Sequence, residues 1–244
     1  MNPPSTPIPE ASQPPHFVEL ERVYVWDLVV RLSHWLIMLA LLLLAVTGIY
    51  LGRPFYIPSG PESQQMVMMN MKVVHFYAAI VFTLTVFVRV GWMFVGSHYA
   101  RWDQFFPIGA RRRAHVLHMG LFYSFLRKHP PMNVGHNPLA GLTYIAVFGL
   151  YFLEIFTGLA LYSVDAGLAY GGYMREIGGW FLPLFGGPQT ARWIHHLGMW
   201  FLLGFFAHHI WSAMLVSRVE GMGLIDSMVS GYKWLPKGWR NRDK

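Results

Sequence analysis

The 244-residue chain contains no cysteine. That absence excludes disulfides, CxxCH haem attachment, cysteine-ligated iron–sulfur clusters and thiolate zinc or copper sites within this chain. Charge is scarce as well. Charged residues make up 13% of the chain against 54% hydrophobic, and the mean hydropathy is +0.35, which is membrane-like. Acid is the scarcer sign, with 12 Asp and Glu against 19 Lys and Arg, for a formal charge of +7. The basic residues sit between apolar runs, so the surplus reads as membrane topology and no nucleic-acid partner is expected.

What the chain does have is apolar runs with histidines inside them. Arg192–Arg218 encloses 25 residues without a formally charged side chain, four of them histidines. About 20 apolar residues cross a bilayer, and histidine at that depth points to function. His195 and His209 are 14 residues apart. On a helix that is about 1400° of turn, within about 40° of the same face, and about 21 Å of rise. His196 and His208 are 12 apart, which leaves them about 120° out of register. The first two suit one ligand for each of two stacked haems. The other two read as residues that support the ligands from behind or that simply pack.

Three more spans precede this one, and the set lies at about 29–51, 71–96, 138–163 and 193–217. The expected architecture is an all-α, integral membrane four-helix bundle covering residues 23–220. Residues 1–22, rich in Pro and Ser and without a signal-peptide pattern, read as a disordered cytoplasmic tail. His16 lies in that tail as a free surface histidine. Residues 221–244 read as a basic cytoplasmic tail. The 97–137 loop carries Arg101, Arg111, Arg112, Arg113, Arg127 and Lys128 against the single acid Asp103. Leu117, Leu121, Phe122 and Phe125 there have the spacing of an amphipathic helix on the membrane surface. His115 and His118 in it read as a solvated face in preference to a metal site. Pro54, Pro58, Gly60 and Pro61 read as helix breakers between the first two spans, and 164–192 as a glycine-rich loop. Four spans put both termini on one side, and the positive-inside bias makes that side cytoplasmic.

Topology then pairs the histidines by depth. His34 opens the first span from the cytoplasmic side, and His75 opens the second from outside. His195 lies outside and His209 about 21 Å deeper. Matching depths gives an outer pair, His75 with His195, and an inner pair, His34 with His209. Each pair draws on two helices, as a haem held between two imidazoles requires. Two protein ligands leave an iron no open position, so such haems carry electrons across the bilayer and do not activate oxygen. The alternatives are hydrogen bonding between helices and a non-redox helical anchor or transporter. Arg89, about 21 Å beyond His75, reads as snorkelling to lipid headgroups ahead of meeting a haem propionate. Glu154 has two equal readings, proton transfer or a bond to a neighbouring helix. Thr47-Gly48 and Thr157-Gly158 recur at the same end of two spans running the same way, and glycine there admits a helix or a porphyrin closely.

The segments VYVWDLVVRLSHW (23–35), TGIYLGRP (47–54), MKVVHF (71–76), GHNPLA (135–140), TGLALYS (157–163), HHLGMW (195–200) and MVSGYK (228–233) resemble the b-type cytochrome subunit of membrane-bound nickel–iron hydrogenases. The GHNP and GYK segments separate it from the related formate dehydrogenase cytochrome subunits, which share the four-helix, two-haem plan. The resemblance implies a prokaryotic inner-membrane protein with His34, His75, His195 and His209 as axial ligands of two non-covalent haem b groups. It implies hydrogenase small and large subunits as periplasmic partners, electrons arriving at the outer haem, and quinone reduced from the inner one. Hydrogen chemistry itself is not in this chain. A formate dehydrogenase or similar reductase as partner is the second redox reading. That family commonly carries a Glu and a Pro ahead of the first histidine motif, where this chain has Asp27 and Val29 or Val30. Glu154 matches no feature of the family, so it inherits no role from it.

Overall fold

The computed structural model describes residues 19–56, 59, 61–165 and 172–237, with the side chains of 62–65 excepted. The expected tail over 1–18, with His16, and the last seven residues lie outside the described residues. In chain order the elements are β1 (Leu20–Tyr24), α1 (Leu28–Gly52), α2 (Pro61–Val95), α3 (Ala110–Tyr123), α4 (Pro138–Val164), α5 (Gly172–Phe181), α6 (Pro188–Glu220), α7 (Leu224–Ser230) and β2 (Tyr232–Pro236), with short 3-10 turns between some of them. Helices α1, α2, α4 and α6 are long and apolar enough to cross a membrane.

Two of these helices begin earlier than the apolar pattern suggests, and both begin on a proline. Pro61 starts α2 ten residues ahead of the expected span, and Pro188 starts α6. Proline at the first helical position lacks only an N–H that has no intrahelical partner anyway, and its φ is already helical. These prolines therefore open helices. Helix α4 starts the same way at Pro138, with Asn137 Oδ1 accepting the Leu139 N–H at 2.9 Å. Helix α6 ends at Gly221 in the left-handed region, φ 66°. Helix α5 lies within the expected 164–192 loop.

The four long helices share one core. Ile37, Ala40 and Leu41 of α1 meet Phe82 and Val86 of α2, Val147 and Ile155 of α4, and Leu202 of α6. Among the four long helices α1 packs chiefly on α2 and α4 on α6, while α5 packs closely against α4. The outward faces stay apolar, with Leu39, Val46, Leu84 and Trp200 all exposed. Such surface suits hydrocarbon, where every backbone polar group is already satisfied within a helix.

One end of the bundle is capped by segments expected to be tails and loops. Strands β1 and β2 pair antiparallel, from Leu20 opposite Pro236 to Tyr24 opposite Tyr232. The expected tails over 1–22 and 221–244 are thus partly ordered, and the strands add a small sheet to an otherwise helical chain. Val23, Val25, Trp26, Val30, Ala100, Val134 and Leu235 form a second core beneath it. Arg31 donates to the Val229 carbonyl, Trp35 Nε1 to the Met228 carbonyl at 3.1 Å, and Trp26 Nε1 to Ser227 Oγ at 3.0 Å. Lys233 is buried, with Nζ donating to the Asn133 carbonyl at 3.1 Å and lying 3.7 Å from Glu220 Oε2. This is the terminal end of the bundle; the opposite one is the far end. Helix α3 forms within the 97–137 segment but ends before Phe125, and its Met119 and Phe122 pack against Val216 of α6.

Candidate functional site

The bundle brings the four histidines together in the two pairs that depth matching predicts. At the far end the rings of His75 and His195 have centres 6.4 Å apart and planes at 65°. At the terminal end His34 and His209 are 6.1 Å apart at 55°. Two imidazoles sharing one metal would stand with ring centres about 6 Å apart, from two metal–nitrogen bonds of about 2 Å plus about 1 Å from each nitrogen to its ring centre. Both pairs match that separation.

At the far end, two identical devices orient the rings. Thr47 Oγ1 lies 2.8 Å from His75 Nδ1, and Thr157 Oγ1 lies 2.9 Å from His195 Nδ1. Each hydroxyl spends its proton on the carbonyl four residues earlier, Leu43 at 2.7 Å and Leu153 at 2.7 Å. Each threonine oxygen is then an acceptor, so the imidazole donates from Nδ1. That tautomer leaves Nε2 with a free lone pair, the form a metal takes. The adjoining glycines keep the rings close. A Cβ on Gly48 would stand 3.3 Å from His75 Cε1, and one on Gly158 3.5 Å from His195 Cε1. Glu154 adds a second acceptor, with Oε2 3.0 Å from His195 Nδ1. Its other oxygen is buried without a partner among the described residues and rests on Gly198, where any Cβ would collide with it.

A cavity of about 840 Å³ adjoins this pair, bounded by Gly48, His75, Glu154, Gly158, His195 and Met199 among others. Its size is in the range of cofactor sites, about 300–1,000 Å³. At the terminal end the pair is instead bordered by rings. Phe205 stacks on His209 at 5.4 Å, Tyr144 is 6.0 Å from His209, and Trp35 is 5.2 Å from His34.

Arg89 corrects an expectation. Its residue is only 7% exposed, so it does not snorkel to headgroups. The guanidinium lies 5.7 Å from the Phe105 ring centre, and Nη1 is buried with no partner among the described residues. Asp27, which precedes α1, is otherwise engaged. Its Oδ2 accepts from Trp92 Nε1 at 2.8 Å and from the Ser97 N–H at 2.9 Å. Burial alone would raise this carboxyl, but those donors and the Arg89 charge outweigh it and hold the pKa below the ordinary value. His136 is ringed by Trp26, Phe105 and Tyr144, at 4.7, 4.7 and 5.6 Å between ring centres. Burial, with the Arg89 and Arg112 cations, pushes its imidazole down to about 3, so it is neutral at physiological pH.

The remaining histidines are not members of these pairs, although His196 lines the far-end cavity beside His75 and His195. His196 Cε1 would lie 2.7 Å from a Cβ on Gly52, so this ring fills the space over that glycine. His208 is exposed and meets Tyr123 and Trp211. His115 Nδ1 lies 3.4 Å from Asn133 Oδ1, and no cluster of three potential metal-ligating side chains occurs among the described residues. Sequence reasoning missed Thr47 and Thr157 as partners of His75 and His195, although the recurring Thr-Gly was the available signal. It also missed His136, whose only mark was its place in GHNPLA.

A family model described as prokaryotic cytochrome b561 matches residues 25–231. The chain is 35% identical over 221 residues to a protein of Cupriavidus necator named "Probable Ni/Fe-hydrogenase B-type cytochrome subunit", covering 88% of each chain. A protein of the same name from Azotobacter chroococcum is 36% identical over 216 residues, covering 86% of this chain and 88% of its own. One from Escherichia coli K12, "Probable Ni/Fe-hydrogenase 1 B-type cytochrome subunit", is 32% identical over 216 residues, covering 86% of this chain and 90% of its own. The chain belongs to the prokaryotic cytochrome b561 family.

Proposed function

We propose that this chain is a di-haem b-type cytochrome that anchors a periplasm-facing nickel–iron hydrogenase and carries its electrons across the inner membrane to quinone. The observation that carries the reading is the presence of two imidazole pairs, 6.4 and 6.1 Å between ring centres, at opposite ends of one membrane bundle. His75 and His195 hold the outer group and His34 and His209 the inner one. The positive-inside bias of the 97–137 segment places the terminal end, and with it His34 and His209, towards the cytoplasm. The hydrogenase small and large subunits then meet the far end, in keeping with the names of the relatives.

A bound haem b supplies a one-electron iron couple. The residues of this chain set the conditions for it. Two imidazoles at each site would hold the haem iron, which would leave no position for oxygen. Thr47 and Thr157 hold the Nδ1 protons of the outer ligands, so the Nε2 lone pairs are left free for the iron. The apolar core between the pairs keeps water and ions out of the bundle centre. The two ligands on α6 stand about 21 Å apart along its axis.

Membranes containing the chain with its hydrogenase test this directly. Hydrogen should reduce b-type haem in them, and added quinone should reoxidise it. Removing the hydrogenase subunits should abolish the hydrogen response while dithionite still reduces the haem. A purified chain with no dithionite-reducible b-type spectrum would sink the reading.

A further inference from the structure

Helix α2 repeats the spacing of α6. His75 and Arg89 are 14 residues apart, as are His195 and His209. Fourteen residues return a helix to within about 40° of one face and advance it about 21 Å. Arg89 therefore shares the inward face of α2 with His75 and lies at the depth of the His34–His209 pair. The neighbouring core residues Phe82 and Val86 are on the same face, 4% and 0% exposed.

A cation at that position needs an anion. An isolated buried charge is strongly disfavoured unless it is paired and hydrogen-bonded. Nη1 of Arg89 has no partner among the described residues. The groups within its electrostatic reach are Asp27, His34 and His136. Two are imidazoles and offer no negative charge. The third, Asp27, is an anion that acts on Arg89 at a distance without an ion pair or hydrogen bond to it, and its Oδ2 is taken by Trp92 and Ser97. Phe105 closes another side with an apolar ring. An anion in direct contact could arrive with the site's occupant, since haem b carries two carboxylates at its edge.

We propose that Arg89 binds a propionate of the haem held between His34 and His209, an inference that rests on the two-haem reading above. A planar guanidinium offers paired donors that match a carboxylate, which lysine cannot do in the same geometry. Arg89 anchors the edge of the group while the two histidines hold its centre. A lipid phosphate would present similar chemistry, but it would have to reach a side chain that is only 7% exposed.

The test uses the purified full-length chain, with haem transfer to apomyoglobin as the readout. Wild type should hold two haems, and the one absent from His34→Ala marks the terminal-end site. Arg89→Gln should speed haem loss from that site by about tenfold to a hundredfold, the range for losing a charge-assisted hydrogen bond. The other site should be unmoved. Arg89→Lys should recover part of the loss and keeps a cation in place if the Gln variant does not fold. Loading with haem dimethyl ester, which has no free carboxylate, should erase the difference between the wild-type and Arg89→Gln chains. Unchanged rates in a two-haem Arg89→Gln chain would overturn the proposal. So would an equal effect on native haem and ester, which would mark a structural role or a lipid phosphate. A wild-type chain holding a single haem would overturn the two-haem reading, and this proposal with it, whatever Arg89 does.

Discussion

Thr47 Oγ1 lies 2.8 Å from His75 Nδ1 while giving its own proton to the Leu43 carbonyl at 2.7 Å. The threonine is thereby locked as an acceptor, and the histidine as an Nδ1–H donor. Thr157 and His195 repeat the arrangement on the facing helices. Thr47→Ala and Thr157→Ala should each weaken haem binding at the outer site by about 10- to 100-fold, the usual loss when such an orienting partner is removed. Serine at either position should restore most of it. Titration of the apoprotein with haem measures both.

Each ligand substitution should remove one site only. His34→Ala and His209→Ala should lose the inner haem, and His75→Ala and His195→Ala the outer. His196→Ala and His208→Ala should retain both, since His196 packs over Gly52 and His208 is exposed. Haem per chain and dithionite-reduced spectra give the count. Two haems retained in the His209 variant would break the pairing.

Glu154→Gln should raise the potential of the outer haem and leave the inner one in place. A carboxylate 3.0 Å from His195 Nδ1 would stabilise positive charge on an iron held by that ring, so removing it would favour the reduced state. A charge-assisted hydrogen bond reduced to a neutral one corresponds to about 1–2 kcal/mol, or about 40–85 mV for one electron. A spectroelectrochemical titration resolves the two components. An unmoved outer component would show that Thr157 alone sets the Nδ1 environment.

Lys233→Met should destabilise the terminal cap. The ammonium-bearing residue is 1% exposed and serves both the Asn133 carbonyl and Glu220. Removing it strands a buried carboxylate, at a loss of about 3–5 kcal/mol, or about 10 °C in melting temperature. Pairing it with Glu220→Gln should return part of that loss. Thermal melts of the detergent-solubilised chain would show the order wild type, double variant, single variant.

His136 makes stability depend on pH in a stated direction. Its folded pKa is about 3, against 6.5 for an ordinary histidine. Between those values the unfolded chain binds a proton that the folded chain does not, so stability rises with pH there and is complete above about 6.5. The slope approaches about 1.4 kcal/mol per pH unit for one such group. His136→Phe should flatten the acid limb of a melting-temperature profile between about pH 4 and about pH 6. An unchanged limb would assign it to other groups.

Four long apolar helices and the partner of each of the four paired histidines were legible in the residues alone. Both follow from local properties, since the length of an apolar run and the 3.6-residue period need no knowledge of neighbours. The 14-residue spacing of His195 and His209 was readable for that reason, and chain direction alone paired them with His75 and His34. Side-chain partners came from packing instead. Thr47 and Thr157 meet histidines 28 and 38 residues away, and Arg31 meets a carbonyl 198 residues away. Periodicity contains no information about such meetings. Arg89 shows the difference most plainly. An arginine near the end of an apolar span reads as snorkelling until packing is known, but α2 turns it inward, beside Phe105, where its Nη1 has no hydrogen-bond partner among the described residues. The ordering of the terminal cap has the same origin. Residues 20–24 and 232–236 lack the apolar length to declare themselves, and become strands only because the bundle brings both ends of the chain to one place.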